Sequence, residues 1–213
     1  MFNNVVFDMD GVLINSEPEY LRRQLTAARE MGAVPSSTVL QDYVGQPSDV
    51  TWQIAVPGDE QLRRRAIARF EAELISEPID YAGIMTPGVA NLIKYLHGAG
   101  YGIGLASAAS LAGVTTMLQA TGLQAYFTSV ISGETLSANK PDPQVYQQNL
   151  AKLHADPALS LAIEDSPTGI AAGQAAGMTV WALAPHGYTV DQSKADRVAP
   201  DMLTMQNWLR TER

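Results

Sequence analysis

The length and composition of the chain fit one α/β domain, or a core domain that carries a smaller insert. Its 213 residues are 46% hydrophobic and 17% charged, which provides a sizeable core and excludes a disordered chain. With 22 acidic and 14 basic residues the formal net charge is −8, so the overall field repels nucleic acids and anionic membranes. The absence of cysteine excludes disulfides, thiolate metal sites and cysteine nucleophiles.

We expect neither a targeting segment nor a membrane span. Its N-terminal residues lack the basic and long apolar stretches of a signal peptide. The longest weakly polar run, 102–114, is shorter than the roughly 20 residues of a membrane span and is interpreted as a buried strand entering a helix. We therefore expect a cytoplasmic protein with a small-molecule partner, bound to neither nucleic acid nor membrane, and a monomer by default.

Short apolar runs and helix-forming segments alternate along most of the chain. This alternation predicts an α/β fold with a Rossmann-like, doubly wound parallel sheet and helices on both faces. The predicted strands are 5–7, 103–106, 130–131, 161–163 and 180–183, and the predicted helices are 89–97, 111–121, 144–153 and 169–176.

Residues from about 17 to 85 follow a different pattern. They contain no convincing strand and are dense in helix formers, for example at 20–31 and 61–75. Segments rich in Pro and Gly, 11–19 and 78–87, bracket this region and predict hinges. We therefore expect an inserted α-helical cap domain over 16–85, and a catalytic core domain made of 1–15 and 86–213.

Acidic pairs follow two of the predicted strands. Asp8 and Asp10 are two residues apart at the end of the first strand, so their side chains share a face. Glu164 and Asp165 end a later strand. Because ligands of doubly wound sheets bind at the carboxyl ends of the strands, we expect both pairs to meet there.

A serine and a lysine complete the set of polar residues expected at the strand ends. Ser107 follows another predicted strand, at the expected start of a helix, where a hydroxyl and backbone N–H groups can bind an anion. Lys140 adds a positive charge. Four carboxylates against one lysine leave a formal charge of −3, so the site requires a divalent cation with oxygen ligands. Mg²⁺ is the expected cofactor.

These motifs, in their order along the chain, resemble those of the haloacid dehalogenase-like (HAD) hydrolase superfamily, in its β-phosphoglucomutase-like and phosphatase branch with a helical, C1-type cap. Ser107 follows Asp8 by 99 residues, which leaves room for the cap, and Lys140 precedes Asp165 by 25. The matching strings are Asp8-Met9-Asp10-Gly11-Val12-Leu13, Ser107, Lys140-Pro141-Asp142-Pro143 and Glu164-Asp165-Ser166-Pro167-Thr168-Gly169-Ile170.

The resemblance implies a Mg²⁺-dependent phosphatase that acts on a small phosphomonoester, with a sugar phosphate as the favoured class. Asp8 would be the nucleophile that becomes an aspartyl phosphate, and Asp10 the general acid and base. The phosphoryl group would be bound by Ser107, the Ala108 backbone N–H and Lys140. The implied metal ligands are the Asp8 and Asp165 carboxylates and the Asp10 carbonyl, with Glu164 nearby or bridged by water.

Other reactions of the superfamily remain as alternatives. A proton donor at Asp10 favours phosphoryl transfer over dehalogenation and over phosphonoacetaldehyde hydrolysis. A β-phosphoglucomutase-type mutase is the nearer alternative, since it shares the helical cap. That enzyme has a hinge histidine and a cap-loop arginine, whereas this chain has Tyr20 at the aligned hinge position and no arginine in the loop 44–49. The departure of Asn15 from the usual hinge aspartate leaves the core motifs intact.

One assay distinguishes an enzyme from two other classes of protein, a receiver domain and a scaffold. A receiver domain accepts phosphate once on an aspartate, and a retired enzyme fold that serves as a scaffold does not react. An enzyme releases phosphate over many turnovers in the presence of magnesium.

Some residues are expected to lie outside the chemistry, and others are candidates for specificity. We interpret the three histidines as surface or packing residues, and the three tryptophans as core or interface residues, with Trp52 as a weaker candidate to face the site. The remaining candidates for setting specificity are cap residues Gly45, Gln46 and Pro47.

Overall fold

The computed structural model describes residues 1–46 and 48–211, in which six strands and eight α-helices follow one another. Pro47, one of the candidates for specificity, lies outside the described residues. The strands are β1 (Asn4–Phe7), β2 (Gly102–Ser107), β3 (Ser129–Ser132), β4 (Ser160–Glu164), β5 (Thr179–Leu183) and β6 (Arg197–Ala199). The helices are α1 (Glu17–Glu30), α2 (Ser48–Ala55), α3 (Glu60–Ser76), α4 (Val89–Gly98), α5 (Leu111–Ala120), α6 (Gln144–Leu153), α7 (Pro167–Ala175) and α8 (Met202–Thr211).

The six strands form one parallel sheet in the order β3-β2-β1-β4-β5-β6. This order reverses direction beside β1, which is the topological switch point of a doubly wound sheet. The predicted α/β, Rossmann-like class is therefore confirmed. All five predicted strands are present, and the sequence analysis missed β6, a three-residue edge strand in which only Ala199 is buried.

Burial on both faces of the sheet explains the apolar runs in the sequence. Val5, Val6 and Phe7 are all fully buried, so both faces of β1 are covered. One apolar cluster joins Val6 to side chains of α6 and α7, among them Tyr146 and Ile170. Helices α6 and α7 therefore cover one face of the central strands, and α4 also contacts β2. The polar residues that follow these strands lie at the carboxyl edge of the sheet.

The chain divides into two compact units. The first consists of Met1–Asn15, Tyr81–Pro185 and the chain from Val190 on, and contains the sheet. The second consists of Ser16–Asp80 together with the short segment His186–Thr189. The assignment of 16–85 as a catalytic cap remains a prediction.

The second unit is helical and has its own apolar core. Helices α1, α2 and α3 contact one another, and their buried side chains form one cluster that includes Trp52. The Trp52 ring meets Phe70 edge to face, with 5.5 Å between ring centroids. The sequence analysis predicted this indole as a core residue, and the structure places it there, 6% exposed.

The two segments that precede and follow the helical insert pair with each other inside the first unit. The Asn15 N–H donates to the Ile84 carbonyl at 2.9 Å, and the Thr86 N–H donates to the Leu13 carbonyl at 2.9 Å. Ile14 and Met85 form an antiparallel bridge between these bonds. Among the described residues, no helix is both long and apolar enough to cross a membrane.

Candidate active site

The predicted polar residues meet where β2, β1 and β4 end side by side. Asp8 follows β1 directly, and its backbone N–H donates to the Ile163 carbonyl on β4 at 2.9 Å. Lys140 Nζ lies between two carboxylates, 2.5 Å from Asp8 Oδ1 and 2.6 Å from Glu164 Oε1. Residues 132 and 24 positions apart in sequence from Lys140 are thus in direct contact with it.

Lys140 also joins this group to β2, the third of the strands that end here. Its ammonium donates to the Ala106 carbonyl at 3.1 Å, one residue before Ser107 ends β2. All three N–H bonds of the ammonium therefore have an acceptor. The lysine side chain is only 9% exposed, so it is a fixed component of the site.

Burial and neighbouring charge perturb the ionisation of this pair. Burial raises the pKa of Asp8 to about 7, the Lys140 charge opposes that rise, and the negative Glu164 and Asp10 add to it. Burial alone would lower the pKa of Lys140, but the Asp8 and Glu164 carboxylates raise it above its ordinary value. The lysine is therefore charged, and the acidic side chains around it outnumber it.

Glu164 is the most enclosed acid of the group. Its side chain is 0% exposed, and Oε1 accepts from Lys140 and from the Tyr146 hydroxyl at 2.5 Å. Oε2 accepts from the Asp165 N–H at 3.2 Å and the Ser166 hydroxyl at 3.3 Å. Both oxygens are thus engaged by this chain, as a buried carboxylate requires.

Asp165 is held by contacts that the sequence analysis did not identify. A Cβ built on Gly11 would lie 2.0 Å from Asp165 Oδ2, so the carboxylate occupies the space of a missing side chain. The Gln192 amide donates to the Asp165 carbonyl at 2.6 Å and to the Leu183 carbonyl at 2.7 Å. These contacts fix both the backbone and the side chain of Asp165.

Asp10 lies in the turn that follows Asp8. The Met9 carbonyl accepts from the backbone N–H groups of Leu13 and Ile14, and the Gly11 N–H donates to the Ile14 carbonyl at 2.8 Å. This tight turn keeps the Asp10 charge close enough to Asp8 to raise its pKa. Asp10 itself is partly exposed.

Ser107 ends β2 fully enclosed, and its neighbours turn sharply after it. The Ser107 hydroxyl accepts from the Ala109 N–H at 3.0 Å, and the Ser132 hydroxyl donates to the Ala109 carbonyl at 2.6 Å. The helix that follows is capped by Ser110, not by Ser107. Ala108 lies exposed in this loop.

The acidic residues fit a hard divalent cation. Carboxylate oxygens of Asp8, Glu164 and Asp165 all lie within 4.8 Å of one another. Oxygen ligands of this kind suit Mg²⁺, and three carboxylates against one ammonium leave two negative charges to neutralise. The cradle at Gly11 gives Asp165 the space to approach Asp8 in this way.

Two residues of the site, Tyr146 and Gln192, were missed. Tyr146 is in helix α6, where glutamines surround it and Val145, and Gln192 is in a loop. The one sequence signal for Tyr146 is its position six residues after Lys140. Two histidines make contacts elsewhere in the sheet unit: the His97 ring meets Tyr126 edge to face, and His154 caps the carboxyl end of α6.

Comparison with known proteins agrees with this geometry. The family model of the haloacid dehalogenase-like hydrolases matches residues 5–183. Hexitol phosphatase B of Escherichia coli (strain K12) is 34% identical over 177 residues, which cover 81% of this chain and 79% of that protein. A phosphoglycolate phosphatase of Vibrio vulnificus (strain YJ016) is 28% identical over 211 residues, which cover 93% and 92%.

A solved structure shows the same architecture over nearly the whole chain. The crystal structure of a HAD-family hydrolase from Deinococcus radiodurans R1, with bound phosphate and sodium, has a TM-score of 0.80 and 25% identity. The match covers 99% of this chain and 96% of that one. The motifs at the ends of β1, β2 and β4, the match over 179 residues and these relatives lead to one conclusion: the chain belongs to the haloacid dehalogenase-like hydrolase family.

Proposed function

We propose that this HAD-family phosphatase hydrolyses a small phosphomonoester of the sugar or polyol class through an aspartyl phosphate on Asp8, with Mg²⁺ as its cofactor. The observation that carries the proposal is the Lys140 ammonium, which lies between Asp8 and Glu164 at the ends of parallel strands. A carboxylate beside a fixed ammonium is suited to receive a phosphoryl group, because the positive charge offsets the repulsion between two anions.

Asp8 is the proposed nucleophile. A carboxylate oxygen of Asp8 attacks phosphorus in line, the bond to the ester oxygen breaks, and Asp10 donates its proton to the leaving alcohol. Asp10 then takes a proton from a water that attacks the aspartyl phosphate, which releases inorganic phosphate and restores the Asp8 carboxylate. The turn at Met9 to Ile14 holds the two aspartates together for both steps.

The oxygens of the transferring phosphoryl group are the proposed ligands of Lys140, the Ser107 hydroxyl and the Ala108 N–H. Lys140 is joined to β2 through Ala106, so the ammonium and the loop after Ser107 approach the same group. Positioning and neutralisation of charge provide most of the catalysis in phosphoryl transfer. The burial of Lys140 limits screening of its charge by water.

Asp8, Asp165 and the Asp10 carbonyl are the residues that would hold Mg²⁺. When bound, the ion would neutralise phosphoryl charge in the transition state. Glu164 already accepts four hydrogen bonds from this chain, so we assign it to the support of Lys140 and to contact with the metal through water only.

The charges of the helical unit favour a substrate whose remaining part is neutral. Of its seven arginines, five contact acceptors of their own unit: Arg22, Arg23, Arg63, Arg64 and Arg69. The other two are Arg29 and Arg65. A phosphorylated acid such as phosphoglycolate needs a cation for its carboxylate, and the five engaged guanidinium groups are less available for that contact. The hexitol phosphatase relative supports the same choice.

A phosphosugar mutase remains the second candidate, on the strength of the helical insert that it shares. Tyr20 replaces the hinge histidine of the mutases, and the lack of arginine among residues 44–49 removes the group that would bind a second phosphate. Hydrolysis is therefore the favoured outcome. Cytoplasmic location and a monomeric state remain predictions.

The test is phosphate release from a panel of hexitol and sugar phosphates, phosphoglycolate and other small esters, with Mg²⁺ or with EDTA. We expect Mg²⁺-dependent turnover of a polyol or sugar phosphate well above phosphoglycolate. β-Glucose 1-phosphate is also assayed for conversion to glucose 6-phosphate. Isomerisation without net phosphate release would identify a mutase instead.

The Asp8→Asn variant tests the nucleophile. It keeps the size of the side chain and removes the attacking charge, so we expect turnover to fall by at least about a thousandfold. The matched control is Asp156→Asn, at the amino end of β4, where asparagine caps the short turn as well as aspartate. Activity retained in the Asp8 variant would rule out the aspartyl phosphate.

A further inference from the structure

The Tyr146 hydroxyl is bonded to the same oxygen that holds the lysine. Tyr146 is 0% exposed, and its hydroxyl lies 2.5 Å from Glu164 Oε1, while Lys140 Nζ lies 2.6 Å from that oxygen. The ammonium is also 5.2 Å from the centroid of the Tyr146 ring. One carboxylate oxygen, one phenol and one ammonium thus contact one another.

The two oxygens of Glu164 are not held equally. The donors to Oε2, at 3.2 and 3.3 Å, are longer than the two at Oε1. Without the phenol, Lys140 would be the one short donor left to a fully buried carboxylate. The unsatisfied oxygen would then draw the ammonium toward Glu164 and away from Asp8, because a buried charge costs free energy unless it is hydrogen bonded.

We propose that Tyr146 is a positioning residue: its hydroxyl satisfies Glu164 and thereby keeps the Lys140 ammonium centred between Glu164 and Asp8. This inference rests on the proposed phosphatase function. Tyr146 does not touch the reacting atoms and acts through Glu164 and Lys140. Its contribution belongs to the transition state, where the lysine must share its charge between the nucleophile and the phosphoryl oxygens.

Helix α6 has other attachments that hold it without this hydroxyl. The Asn149 amide donates to the Leu105 carbonyl of β2 at 3.0 Å, and Val145 and Leu150 lie in the apolar cluster beneath the sheet. The Tyr146→Phe variant keeps the ring, its packing and its contact with the ammonium. It removes one hydrogen bond and nothing else.

The experiment compares Tyr146→Phe with Ser160→Ala in steady-state kinetics with the best substrate and saturating Mg²⁺. Ser160 is buried at the opposite end of β4, where its hydroxyl donates to the Asp156 carbonyl at 2.7 Å, so the control also loses one buried donor. For Tyr146→Phe we expect kcat to fall about tenfold, as a hydrogen bond to a charged group allows, with KM within about twofold. The control should keep kcat and KM. Thermal melting of both variants accompanies the kinetics.

The outcomes separate the inference from the function on which it rests. A wild-type protein that releases no phosphate would remove the proposed function, and the role of Tyr146 with it. An active wild type with a Tyr146→Phe variant that matches the control in kcat would overturn the positioning role alone. So would a change confined to KM, or a variant without cooperative melting, because either result makes the hydroxyl a binding or folding element. Crystal structures of wild type and variant should show Lys140 Nζ farther from Asp8 in the variant.

Discussion

The Asp165 carboxylate occupies the space in which a side chain at residue 11 would begin. Gly11 has a φ of 75°, a backbone conformation that costs other residues about 1–2 kcal/mol. A Cβ there would also lie 2.0 Å from Asp165 Oδ2. Glycine is therefore required after Asp10 for two independent reasons. One is the positive φ of the turn, and the other is the Asp165 carboxylate, which follows β4 far along the chain.

Gly11→Ala separates these two reasons when it is compared with Gly122→Ala. Gly122 has a φ of 69° and nothing within 4 Å of the added Cβ, so its replacement carries the backbone cost alone, about 1–2 kcal/mol. We expect the Gly11 variant to lose more stability than the control and to lose Mg²⁺-dependent activity, since Asp165 must move. Urea unfolding and phosphate release measure both effects. Equal destabilisation with full activity would contradict the close contact.

Removal of the Asp8 charge should stabilise the metal-free protein. Burial raises the pKa of Asp8 to about 7, above its ordinary value, so above pH 7 the ionised carboxylate opposes folding. The neutral Asp8→Asn side chain removes that opposition, and Lys140 keeps Glu164 as its partner. We expect melting in EDTA at pH 8 to rise by about 2–4 °C for each kcal/mol gained. A lower melting temperature in the variant would show that the pair with Lys140 outweighs burial.

The motif residues could be predicted from the sequence, but their supporting contacts could not. Asp8, Asp10, Glu164 and Asp165 stand at strand ends and carry charge, and polar residues after apolar runs are visible in one dimension. Tyr146 occupies a buried helical position that any large apolar residue could fill, so its hydroxyl bond becomes visible only when α6 and β4 are placed together. Gln192 is a polar loop residue, which gives no sign that its amide is buried.

At the scale of elements, α7 brings its first turn against the end of β4. Ser166 caps this helix by accepting from the Gly169 N–H at 3.0 Å, and Pro167 opens it. A Cβ built on Gly169 would lie 2.0 Å from the Glu164 carboxylate. The buried acid therefore packs on the backbone of the helix start, where the helix dipole favours negative charge.

Gly169→Ala should destabilise the protein although alanine is the better helix former. The propensity gain is about 1 kcal/mol at most, whereas the added Cβ forces Glu164, and with it Lys140, to move. Gly98→Ala, in α4 with nothing within 4 Å of the added atom, has the same gain without the clash and should be neutral or stabilising. Chemical denaturation of both variants gives the comparison. A stabilised Gly169 variant would show that Glu164 has room to shift.

The sequence analysis missed α2, the edge strand β6 and α8. Helix α2 has eight residues, of which Trp52 and Ala55 are buried, and the edge strand β6 has one buried residue. Helix α8 presents a buried stripe through Met202, Met205 and Leu209, and this spacing is a helical signal that the sequence analysis overlooked. The central strands could be predicted because burial on both faces makes every residue apolar, which a half-exposed element does not require.

At the scale of the whole molecule, the chain makes its sheet from segments on either side of the helical insert. The sheet unit holds Asp8, Lys140, Glu164 and Asp165, and the helical unit has a separate apolar core. Composition and periodicity predicted a helical region without strands over residues 17–85, and its elements α1, α2 and α3 are helices. The return of His186–Thr189 to the helical unit could not be predicted, because the bonds between Gln41 and Thr189 join residues 148 positions apart.

Because the two units have separate cores, we predict that Mg²⁺ raises the melting temperature of the sheet unit and not that of the helical unit. A ligand at about 100 times its Kd adds about 2.7 kcal/mol to the free energy of unfolding of the unit that binds it. The sheet unit contains the proposed ligands Asp8 and Asp165. We expect calorimetry to depart from a two-state transition, with Mg²⁺ raising only the transition of the sheet unit. Trp52→Phe leaves Trp181 and Trp208 as the fluorescent reporters of that unit, so their melting should follow the shifted transition. Asp8→Asn should abolish the shift. Mg²⁺ that moves every transition equally, or moves the Asp8 variant as far as wild type, would place the binding site elsewhere.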